Sequence, residues 1–133
     1  MQNLDQLRAA HALAWVNTCN PNSTAPTLVR RDAAKLPAML LTNGLLAAFA
    51  FACEDEKGDR AGLAKVCTGI ARHLAQPAIG LPELNGITTP EKLAEELAAG
   101  EALTLQRATT ESLAYLSYLK RYAPKKTDDR DAD

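Results

Sequence analysis

The chain has 133 residues, 47% of them hydrophobic, 23% charged and 5% aromatic, with a formal net charge of −1. That length supports one hydrophobic core and excludes two, and the near-neutral balance excludes a uniformly basic nucleic-acid binder. Ala and Leu dominate while β-branched residues are sparse, which excludes a sheet-rich fold and predicts an all-α domain.

Residues 3–19 place Leu4, Leu7, Ala10, His11, Ala14 and Trp15 at intervals of three and four, the stripe of an amphipathic helix, with Trp15 as a core anchor. Residues 20–26 contain two prolines among small polar residues and read as a loop. Thr27 is a candidate cap for a helix that begins with the basic residues Arg30, Arg31 and Lys35, and Pro37 should kink that helix or start a new one. Residues 36–53 are the most apolar stretch and read as a buried central helix containing Leu36, Asn43, Gly44, Phe49 and Phe51. Gly44 costs a helix interior about 1 kcal/mol against Ala. Close approach of a neighbouring helix would justify it, and Asn43 would then need hydrogen-bond partners. Thr42, Asn43 and Gly44 interrupt the stretch, so a membrane span is the weaker reading of it.

Residues 54–58 end that helix, and Asp59 is a candidate cap for the next. Leu63, Val66, Cys67, Ile70, Ala71 and Leu74 form the cleanest stripe in the chain, stopped by Pro77. Residues 78–88 hold Gly80, Pro82 and Gly86 and read as irregular. Thr89 followed by Pro90 is a helix start, and Gly100 is the matching stop. The final helix spans 101–123. Leu105, Ala108, Ser112, Tyr115, Leu119 and Tyr122 share one side, and Leu103, Leu113 and Leu116 a neighbouring one. Pro124 ends it. Residues 1–124 thus read as one compact bundle of five or six helices around a central one, and 125–133 as a disordered charged tail. The six residues 128–133 carry a net charge of −3, which leaves +2 on the rest.

No catalytic or metal-binding constellation is evident, and no cofactor is implied. Cys19, Cys53 and Cys67 lack a C-x-x-C spacing and read as small apolar residues in a reducing, cytoplasmic protein without a targeting segment. His11 reads as a core or boundary residue and His73 as a surface one, with no partner at helical spacing for either. Gly58, Gly62 and Gly69 lack the lysine and hydroxyl of a phosphate loop. Glu91, Glu95 and Glu96 read as a solvated face, and the tail aspartates as self-repelling charges. The expectation is a protein that is not an enzyme.

The strongest charge pattern lies at the chain's end. Arg107, Lys120, Arg121, Lys125 and Lys126 stand against one acid, Glu111, and Tyr115, Tyr118 and Tyr122 interleave with them. Such cations could hold phosphates irrespective of base sequence. Alternatively, Lys120 and Arg121 complement the negative end of a helix dipole. Arg30, Arg31 and Lys35 form a second patch, open to the same two readings.

The run from Lys35 to Leu45, KLPAMLLTNGL, followed by Ala48-Phe49-Ala50-Phe51, resembles the central signature of the small-subunit family of type III-B CRISPR effector complexes, the Cmr complexes. The run 107–116, RATTESLAYL, with LKRYA at 119–123, is similar to that family's closing helix, and the opening helix also agrees. The resemblance covers nearly the whole chain in order. It implies a non-catalytic helical subunit, stacked in copies beside a filament of guide-binding backbone subunits and lining the groove where target RNA pairs with guide RNA. Target cleavage would belong to the backbone subunits and cyclic-nucleotide synthesis to the large subunit. RNA contacts are then expected at Arg30, Arg31, Lys35, Arg107, Lys120, Arg121, Lys125 and Lys126. A competing expectation is a helical interaction module that stiffens an assembly and never touches RNA.

Overall fold

The computed structural model describes residues 2–18, 25–54, 58 and 60–123. Among these residues it is all-helical: α1 (Leu4–Asn17), α2 (Ala25–Asn43), α3 (Leu45–Cys53), α4 (Ala61–Leu74), α5 (Pro90–Ala99) and α6 (Ala102–Tyr122), with 3₁₀ turns at Pro77–Ile79 and Pro82–Leu84. The described part is one helical bundle, as composition and periodicity predict.

Helix α2 packs along both α4 and α6, α1 lies across α6, and α3 sits on α5. The α2 face that enters the core is Val29, Asp32, Ala33, Leu36 and Leu40, a three-four spacing that meets the α4 stripe of Leu63, Val66, Cys67, Ile70, Ala71 and Leu74. Tyr115, Leu116 and Leu119 of α6 close the core, and Phe49 enters it from α3. Pro37 is accommodated inside α2, which runs through it. Helix α2 already includes Ala25 and Pro26, so it starts two residues before the predicted cap at Thr27.

The single central helix expected over residues 36–53 is instead two helices joined at Gly44. Gly44 has φ +88° and ψ 162°, a conformation open essentially to glycine alone. Its N–H donates to the Leu40 carbonyl and its carbonyl accepts from Ala48, so the same residue closes α2 and opens α3. A Cβ at Gly44 would meet nothing within 4 Å, so the residue is required by its backbone angle and not by an approaching helix. Asn43, expected inside, is exposed at the end of α2. Phe51, also expected inside, is 41% exposed, with the Arg60 guanidinium carbon 3.8 Å from its ring centroid. The turn at Gly44 gives α3 a new axis, and its buried face becomes Leu45, Ala48, Phe49 and Ala52.

Thr89 caps α5 by accepting from the Lys92 amide, with Pro90 at the first helical position and Gly100 at the far end. Arg60, not Asp59, stands at the N-cap of α4, and Asp59 lies outside the described residues. Residues 20–24 of the loop predicted over 20–26, and the tail at 125–133, also lie outside them. No helix of the described residues is long and apolar enough to cross a membrane.

Candidate functional site

Two groups of charged side chains stand out, one at an end of the bundle and one inside it. At the end, Arg30 of α2 reaches the C-terminus of α6, where its Nη1 donates to the carbonyl oxygens of Lys120 (3.1 Å) and Ala123 (3.0 Å). The last carbonyls of a helix have no donor within it, so the guanidinium satisfies two of them and offsets the negative pole of the dipole. Arg30 of one sequence patch thus touches the helix end that carries Lys120 and Arg121 of the other. Arg31 pairs with the buried carboxylate of Asp32 at 3.0 Å and keeps its own side chain 42% exposed. Lys35, one turn further along α2, and Lys120 and Arg121 in the last turn of α6 are exposed and make no ion pair among the described residues. Arg107 stands apart. It lies thirteen residues before Lys120, or about 20 Å along a helix, and borders a hollow of about 460 Å³ with Leu81, Leu103 and Gln106. Lys125 and Lys126 lie outside the described residues.

The interior group was not anticipated. Arg8 of α1 grips Glu111 of α6 with two bonds, Nε to Oε2 and Nη2 to Oε1, both 2.8 Å, while its Nη1 holds Asp5 at 2.8 Å. Glu111 Oε2 also meets His73 Nε2 of α4 at 2.8 Å, and His73 Nδ1 meets His11 Nδ1 of α1 at 2.8 Å. The His73 ring stacks on Tyr115, with centroids 4.5 Å apart. His73, read from sequence as a surface residue, is 1% exposed. Only Ala12 of α1 is fully buried, and Ala10 and Ala14 of the predicted stripe are exposed. This polar chain is therefore a principal anchor of α1 to α4 and α6.

Burial alone would push the Glu111 carboxyl up. Its bonds to Arg8 and His73 outweigh that and hold it down at about 2, from an ordinary 4.5. The same bond raises Arg8 further above the range in which it could lose its proton. His11 is pushed below its ordinary 6.5 by burial and by His73, against the pull of Glu111. With Glu111 ionised, His73 Nε2 must be the donor between them. In a neutral pair His11 Nδ1–H then donates to His73 Nδ1. A proton added at His11 Nε2 would leave that bond as it is, whereas one on His73 Nδ1 would set two N–H groups head to head at 2.8 Å unless His11 gave up its own Nδ1 proton.

Both Glu111 oxygens are occupied, Ser112 Oγ is bonded to the Ala108 carbonyl, and burial pushes the Cys67 thiol up, away from the reactive thiolate. Among the described residues no group of three or more His, Cys, Asp and Glu could hold a metal ion. A signal for the cluster did exist in the sequence. His73 is three residues after Ile70 and seven after Val66, so it lies on the buried stripe of α4. Glu111 likewise lies between Ala108 and Tyr115 on the buried face of α6.

The cores named from sequence divide as follows: Leu36, Phe49, Tyr115 and Leu119 are buried, Trp15 is half-buried, and Asn43 and Phe51 are exposed. No curated protein and no solved structure matches the chain significantly. The family model described as CRISPR-associated protein (Cas_Cmr5) matches residues 4–125, so the chain belongs to the Cmr5 family, the small subunits of type III-B CRISPR complexes.

Proposed function

We propose that this small subunit is a non-catalytic structural component that stacks beside the guide-binding backbone and contacts target RNA, or its duplex with guide RNA, through the joined α2–α6 end. The observation that carries the reading is the double bond from Arg30 to the α6 C-terminus, which brings Arg31, Lys120 and Arg121 to one end of the bundle. Sequence recognition would rest with base pairing, so exposed cations facing phosphates suffice.

A second reading, a module that stiffens the assembly without touching RNA, has its own observation. The outward face of α2 carries Ala34, Ala38 and Leu41, with Leu41 74% exposed, and α3 continues with Ala47, Ala50 and Phe51. One experiment separates the two: the assembled complex is built with Lys120→Ala/Arg121→Ala or with Leu41→Asp, and target-RNA retention is followed against salt. RNA contact predicts that the double variant assembles normally, holds target less tightly and has a salt slope shallower by about 1.4–1.8 for two lost phosphate contacts. Unchanged retention and slope, with assembly lost only in Leu41→Asp, would leave the stiffening role.

A further inference from the structure

Between α1 and α4 lies a cavity of about 290 Å³, floored by the His11–His73 pair and edged by Trp15, Arg72, Gln76 and Thr88. We propose that it is a nucleotide site, taking one planar heterocycle beside the Trp15 indole and its phosphate on Arg72. The site is separate from the α2–α6 end and does not depend on that end's contacting RNA.

The indole is fixed before any ligand arrives. Trp15 Nε1 donates to the Lys65 carbonyl at 3.1 Å, and the ring lies so close to Gly69 that a Cβ there would sit 2.6 Å from Trp15 Cδ1. A half-buried ring held by a hydrogen bond on one side and a glycine on another loses little freedom on stacking. Arg72, one turn beyond Gly69, is exposed, with its guanidinium carbon over the indole ring at 5.3 Å from the centroid, a loose contact it can leave for a phosphate, and it makes no ion pair among the described residues. Charge at the cavity follows from the cluster beneath it. Glu111 is committed to Arg8 and His73, so it does not neutralise Arg72. The Gln76 amide and the Thr88 hydroxyl add donors and acceptors at the edge, which an acyl chain would leave unused. A flat aromatic wall, a cation beside it and a few edge hydrogen-bonders in a volume near the lower end for ligand pockets, about 300 Å³, match one base with one phosphate. The base could come from an unpaired position in an RNA strand or from a free mononucleotide.

Trp15 is the only tryptophan of the chain, so its emission reports on this cavity alone. The full chain would be titrated with the four nucleoside monophosphates, with adenosine, with inorganic phosphate and with short oligouridylate and oligoadenylate. The expected result is saturable quenching by a monophosphate or an oligonucleotide, at least tenfold weaker in Arg72→Ala and Arg72→Gln. Tighter binding of the oligonucleotides would assign the site to an RNA strand, and tighter binding of a monophosphate to the free nucleotide. Absence of saturable quenching at millimolar ligand would overturn the proposal. So would equal affinity in the Arg72 variants with an unchanged circular dichroism spectrum, or quenching by phosphate alone.

Discussion

Replacing Glu111 with Gln removes the charge on which Arg8 and His73 converge while keeping the side chain's size. The ordinary carboxyl value of 4.5 falls to about 2 in the fold, and at about 1.36 kcal/mol per unit the folded state favours the ionised form by about 3 kcal/mol. Glu111 is 7% exposed, so little of this is lost to solvent screening. A carboxyl whose folded value is depressed contributes stability that is complete above the unfolded value, here 4.5, and is lost as pH falls through the folded value. The wild type should therefore exceed Glu111→Gln by about 3 kcal/mol at pH 7. The gap should hold down to about pH 5, still above the unfolded carboxyl value. By pH 3 it should shrink to about half, and near pH 2 it should almost vanish, because a protonated Glu resembles Gln. Urea denaturation of both proteins at fixed pH steps, followed by helical circular dichroism, measures this directly. A gap that stayed constant from pH 7 to pH 2.5, or one below about 1 kcal/mol at pH 7, would refute the claim that this network anchors α1.

Two further substitutions test the scaffold. Gly44→Ala forces a side chain onto φ +88° and ψ 162° in open space, so strain without a clash should cost about 1–3 kcal/mol; thermal melts showing no loss would mean the turn relaxes freely. Arg30→Ala removes both charged bonds to the α6 carbonyls and should cost about 1–2 kcal/mol, with faster hydrogen exchange in the last turn of α6. Lys120→Ala should leave both readouts unchanged, and an equal effect of the two would assign Lys120 a structural role as well.

Local rules made much of the fold legible. The α4 stripe and the Thr89-Pro90 start of α5 each depend on spacing or on a cap, and both are set within a few residues. The division at Gly44 was not legible in the same way. An apolar run with one glycine has the same pattern whether the glycine continues a helix or turns it, and only the direction in which α3 finds its core decides. Phe51 follows from that. Once α3 turns, Leu45, Ala48, Phe49 and Ala52 define the buried side, and Phe51 is carried outward to Arg60. The polar cluster was hidden for another reason. Arg8, His73 and Glu111 are far apart in the chain and each is of a residue type found mostly at the surface, although His73 and Glu111 fall in buried registers of their helices. Taken together they are a cation, an imidazole and a carboxylate in buried registers of three helices, and such groups are tolerated inside only if they satisfy one another.

The basic end shows how the same residue types divide by role once their partners are known. The dipole reading of Lys120 and Arg121 assumes that the α6 C-terminus needs a cation. Arg30 already supplies one, bonded to the carbonyls of Lys120 and Ala123. A guanidinium in direct contact offsets that pole better than solvated side chains projecting from the last turn, because the dipole's effect falls off within a turn and is screened by salt. Lys120 and Arg121 are therefore in excess of what the helix end requires. Arg30 thus has a scaffold role at the end of α6, and Arg107 lies about 20 Å away along that helix.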